Sequence, residues 1–135
     1  MKRILICLAL IFGVTSVTFA DKHDDLVRQA QTAKKAGDFV SAAKLHPRNL
    51  CKAEYLWQAA CQLIASKDKN GSWAYDESKA TDENKASAVA LLDQAVEAMN
   101  DASQDGTADA GCKGVDKEDL ARRIGLVQAC LEGHC

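Results

Sequence analysis

Aromatic side chains are scarce in this chain, which has three Phe, two Trp and two Tyr among its 135 residues. Much of its apolar content is alanine, which favours helix but buries little more than one methyl each, at about 25 cal/mol per Å². The expected core is therefore thin for the chain length, with closely packed helices and modest hydrophobic stabilisation. No stretch sustains the alternation of polar and β-branched residues that marks a strand, so no strand is expected. There is no C-x-x-C pair and no common zinc-module spacing. An acid, a base and a nucleophile do not converge in any recognisable motif, so the chain is not expected to be an enzyme.

What is present begins at the first residues. Lys2 and Arg3 precede an apolar run from Ile4 to Val17, and Thr18-Phe19-Ala20 closes it before the charged stretch that opens at Asp21. A basic start, an apolar run short for a bilayer span, and small residues at Thr18 and Ala20 form the pattern of a cleaved signal peptide over residues 1–20. The expected mature protein is a single domain, 21–135, without a membrane span once the leader is removed. Losing Lys2 and Arg3 leaves 15 Lys plus Arg against 19 Asp plus Glu, an acidic balance that argues against nucleic acid as a partner. The destination is periplasmic or secreted and therefore oxidising, which makes disulfides the expected state of the thiols.

The spacing of apolar residues predicts an all-α single compact bundle of four to five helices, cross-linked by disulfides. Leu26, Ala30 and Ala33 share a helical face that Gly37 ends, and Asp38 caps a short second helix closed by Pro47. Asn49 is expected to cap a third helix, with Leu50, Ala53, Trp57, Ala60, Cys61 and Ile64 on one stripe. Residues 67–80 read as a polar connection. Thr81 opens a fourth helix on Ala88, Val89, Leu92, Ala95, Val96 and Met99, and Asp116 opens a last one through Leu120, Ile124, Val127 and Leu131 to Gly133.

The segment Ala33-Lys34-Lys35-Ala36-Gly37-Asp38-Phe39-Val40-Ser41-Ala42-Ala43-Lys44-Leu45 resembles the turn between the helices of a tetratricopeptide repeat. The resemblance covers about twenty residues, 26–45; Pro47 falls earlier than the repeat's closing proline, and no second copy follows at the repeat period. It implies a scaffolding or peptide-binding role.

Cys51 and Cys61 lie ten residues apart on the predicted third helix, about 15 Å along its axis, too far for a disulfide. Each is therefore expected to pair with one of Cys112, Cys130 and Cys135, at about 2–4 kcal/mol per bridge, leaving Cys135 as the odd thiol with Cys112 in competition. The alternative use of these residues is a zinc site formed by Cys130, His134 and Cys135 with His23 or His46.

Residues 101–112 resemble an EF-hand calcium loop, with Asp101, Ser103, Asp105 and Asp109 at loop positions one, three, five and nine and Gly106 at six. Cys112 stands where the bidentate glutamate belongs, so any calcium bound there would be held weakly. No other cofactor is expected.

Trp73 and Tyr75 sit two apart in the polar connection. Such residues anchor protein interfaces because they bury much area at little conformational cost. Trp73 is expected to fold back as a lid on the core, with Tyr75 outward. The resulting expectation is an exported helical protein that binds another protein, for instance an immunity or inhibitor protein acting on a toxic or lytic envelope enzyme. A calcium- or metal-binding sensor and a tetratricopeptide-like scaffold are the alternatives.

Overall fold

The computed structural model describes residues 24–102 and 115–134. The proposed leader, 1–20, lies outside them. Helix α1 covers residues 24–35. Gly37, at φ +82°, ends it: Gly37 donates its N–H to Lys34 O at 3.0 Å and Asp38 donates to Ala33 O at 2.9 Å. This paired closure is a Schellman motif, and it needs a residue that tolerates positive φ. Asp38 then caps α2, Phe39–Leu45, its Oδ1 accepting the Ser41 N–H at 3.1 Å. On the far side of the turn, Gln62 Nε2 donates to Gly37 O at 2.9 Å and ties the hairpin to the next helix.

That helix, α3, runs Asn49–Ile64. Asn49 is its first residue and not its cap; Arg48 holds the cap position without a side-chain bond, and its own N–H is taken by His46 Nδ1 at 3.1 Å. The expected apolar stripe proves too narrow. Cys51, Tyr55, Leu56 and Ala59 are buried along with Ala53, Ala60, Cys61 and Ile64, because α2 packs on the helix as well as α4.

The connection after α3 contains strands, against expectation. β1, Ala65–Lys67, and β2, Trp73–Tyr75, pair antiparallel with Ala65 opposite Tyr75 and Lys67 opposite Trp73. The signal for them lies in the turn and not in any alternation. Asp68 Oδ1 accepts the N–H groups of Asn70 at 2.8 Å and Ser72 at 3.0 Å, while Gly71 takes φ +80°, so Asp, Asn and Gly set the reversal themselves. Asp76 fastens the base of the hairpin, donating its N–H to Ile64 O at 2.9 Å.

Helix α4, Asp82–Ala102, starts on the Thr81 hydroxyl, which accepts from Asn84 N at 3.2 Å. Helix α5, Lys117–Leu131, starts on Asp116 and ends in a second Schellman closure, with Gly133 at φ +91° and His134 donating to Ala129 O at 2.9 Å. Ala30, Phe39, Tyr55, Leu56, Ile64, Leu92, Leu120 and Ile124 join in one buried cluster, with α3 against α4 its broadest seam. The architecture is mostly helical with one small hairpin. Among the described residues no helix is long and apolar enough to cross a membrane.

Candidate binding groove

Residues directly opposite in an antiparallel pair share a face, and so do residues two apart on one strand. The register therefore sets Ala65, Lys67, Trp73 and Tyr75 on one side of the hairpin and Ser66 and Ala74 on the other. The first side closes over a groove of about 190 Å³. Its floor and walls are Trp57, Cys61 and Ile64 of α3, Ala65, Trp73 and Tyr75 of the hairpin, and Arg123, Leu126, Val127 and Cys130 of α5. Leu126 is 57 % exposed on the α5 side.

The two predicted contact residues thus come together, in a different arrangement from the expected one. Strand geometry puts Trp73 and Tyr75 on the same face, so neither is an outward counterpart of the other. Tyr75 packs against the core cluster. Trp73, at the hairpin's outer end, is half-buried and has Lys67 Nζ 5.0 Å from its ring centroid.

Arg123 anchors the opposite wall. Its guanidinium carbon lies 4.4 Å from the Trp57 ring centroid, with Nη2 3.0 Å from Glu54 Oε2 and Nε 3.0 Å from Asp119 Oδ2. Two carboxylates and a ring face therefore offset this charge, and the groove surface remains largely apolar. The Asp119 carboxyl is held below the usual carboxylate range, first by its hydrogen bond from Arg122 and then by the charge of Arg123 beside it. Trp57 and Arg123 carry the groove as much as Trp73 does, although the sequence pattern marks Trp57 only as part of the core stripe and gives no signal for Arg123.

No protein-family model, curated protein or solved structure matches the chain. The groove is thus read from its own chemistry.

One cysteine departs from expectation. Cys61 is a free, buried thiol, whereas it was expected in a bridge. Burial pushes its pKa up to about 12 despite the nearby Arg123, which leaves it a small apolar wall residue of the groove. Cys51 is buried in α3, and Cys130 lines the groove from α5. Cys51 and Cys61 share one continuous helix, as the argument against pairing them required. Cys112 and Cys135 lie outside the described residues.

The acidic segment is only partly in view. Asp101 sits in the last turn of α4 and faces solvent, beside a polar hollow that Lys44, Lys52 and Glu97 also line. Ser103, Asp105 and Asp109 lie outside the described residues. Of the alternative zinc ligands, His46 is fully buried between α2 and α3, its ring edge-on to Tyr55 at 5.7 Å. His134 is exposed beyond α5, so these two do not share an environment. Among the described residues no three His, Cys, Asp or Glu side chains gather as a metal set.

Tyr55 is the other residue that sequence reasoning missed. It is fully buried, and burial, then the charge of Glu54, raises its phenol pKa. The signal was its place four residues from both Cys51 and Ala59, on the helix face that α2 covers.

Proposed function

We propose that this chain is an exported, disulfide-linked helical protein that acts by binding another protein, with the groove between the hairpin and α5 as its contact surface. The observation that supports this reading is the convergence of Trp57, Trp73 and Tyr75 with the exposed Leu126 around one apolar hollow. Aromatic residues around a desolvated pocket are the usual anchors of protein contacts, and a pocket of about 190 Å³ accepts a single large side chain. An immunity or inhibitor protein acting on an envelope enzyme is the concrete form of this role. In that role the signal peptide over 1–20 delivers the domain 21–135 to the periplasm, and bridges from Cys51 and Cys130 reinforce a core poor in large side chains.

A photoreactive amino acid placed at Leu126 tests the site. Leu126 is exposed, so the replacement leaves the core intact. Cross-linking in the envelope of expressing cells should yield one dominant adduct that disappears when Trp73→Ala is added. An adduct indifferent to Trp73→Ala would move the contact surface elsewhere.

A further inference from the structure

The hairpin register leaves one unmatched charge beside an apolar surface. Lys67 stands opposite Trp73, so its side chain rises on the groove face at the outer end of the hairpin. The cation that lines the groove itself, Arg123, already faces Glu54 and Asp119, each at 3.0 Å. Lys67 is exposed and forms no ion pair among the described residues; its ammonium rests over the Trp73 ring. Asp68, next in sequence, has Oδ1 engaged by the Asn70 and Ser72 amides of the turn.

We propose that the groove selects an apolar side chain accompanied by a carboxylate. The apolar body lies against Trp57, Trp73, Tyr75 and Val127, and the carboxylate meets Lys67 at the rim. This rests on the protein-binding reading and narrows it: the partner contributes a short acidic–apolar segment. The selection follows from charge complementarity, since an amine in the same place would face the Lys67 ammonium and a neutral group would leave it unmatched. An exposed pair is screened by solvent, so the preference is worth only a few-fold in affinity. The apolar contact supplies most of the binding, and Lys67 supplies the choice.

The chain holds two tryptophans, and both line the groove, so intrinsic fluorescence reports its occupancy. The probes are 4-phenylbutyrate and its neutral amide, titrated into the whole oxidised chain as exported. Both should give a saturable change, with the carboxylate about two- to fivefold tighter. Lys67→Met keeps the aliphatic stem and should make the two affinities equal, as should high salt in the wild type. No saturable change with either probe, equal affinities in the wild type, or a difference that survives Lys67→Met each overturns the proposal. The two readings fail separately. Loss of the carboxylate preference while Trp73→Ala still weakens partner capture would sink only the acidic–apolar selection. A preference that holds while capture ignores Trp73→Ala would support the selection and remove the protein partner.

Discussion

Arg123 of α5 lies with its guanidinium carbon 4.4 Å from the ring centroid of Trp57 on α3. The two helices share a narrower seam than α3 shares with α4, so this stacked pair and its ion pair to Glu54 hold much of one groove wall. With side chains 23 % and 13 % exposed, Arg123 and Glu54 are partly desolvated. Removing the cation would leave Glu54 with an unmatched charge. Arg123→Ala should therefore lower stability by about 1–3 kcal/mol in urea unfolding. Arg123→Lys should recover part of that loss, because a charge remains but the planar face does not. An Arg123→Ala protein as stable as the wild type would reduce the pair to a surface contact.

The hairpin that carries Trp73 and Tyr75 depends on Asp76. Its carboxylate accepts from Ser78 Oγ at 2.6 Å, from Ser66 Oγ at 2.8 Å and from Ser78 N at 3.0 Å, and the Ser78 and Ser66 bonds lower its pKa. A depressed folded pKa gives stability that is present above the unfolded value of 3.8 and is lost as pH falls through the folded one. Tryptophan fluorescence should stay constant from about pH 7 to about pH 5 and change below about pH 4. Asp38 and Asp119 shift in the same direction, so Asp76→Asn isolates the hairpin: it should alter the fluorescence at neutral pH while circular dichroism keeps its helical signal. Unchanged fluorescence in that variant would show that Asp76 does not set the hairpin.

The helices were legible because their ends are written locally. Asp38, Thr81 and Asp116 each accept an amide of the first turn, and Gly37 and Gly133 each close a helix, so residue identity located these ends; at α3 it misplaced the cap, because the cap position belongs to Arg48, which makes no side-chain bond. The hairpin was not legible, since three-residue strands show no periodicity and Ala65-Ser66-Lys67 lacks β-branched residues. The Asp68 to Gly71 turn held its only local signal. The groove was half legible. Trp73 and Tyr75 stood out as aromatics in a polar segment, but Arg123 meets Trp57 across 66 positions of sequence, and only the packing of α5 on α3 joins them.

Cys61 tests the placement of the buried wall. A thiol held at about pKa 12 is almost wholly protonated at neutral pH. At Cys61 the native protein should resist iodoacetamide at about pH 8 and take up the label when unfolded without reduction. Because the unfolded thiol ionises near its ordinary value of 9.0, this group's contribution to stability is full below that pH and is lost as pH rises toward 12. Rapid labelling of the native chain at Cys61 would place it at the surface. Peptide mapping of the same unreduced sample also assigns the partners of Cys51 and Cys130, and a bridge through Cys61 would contradict the groove as described.

The most direct measurement is the affinity of the purified chain for the protein that Leu126 cross-links, compared across three single variants. Trp73→Ala removes an outer groove wall, Leu126→Ala trims the exposed rim, and Val89→Ala trims an exposed large apolar residue elsewhere, 44 % exposed on α4 and outside the groove. Tyr75→Ala is the less clean probe because Tyr75 also packs against the core. Trp73→Ala should weaken binding by about 1–2 kcal/mol and Leu126→Ala by somewhat less, with helical content unchanged. Val89→Ala should bind like the wild type. Equal affinity in the wild type and Trp73→Ala, or a loss confined to Val89→Ala, would contradict the assignment of the groove as the binding surface.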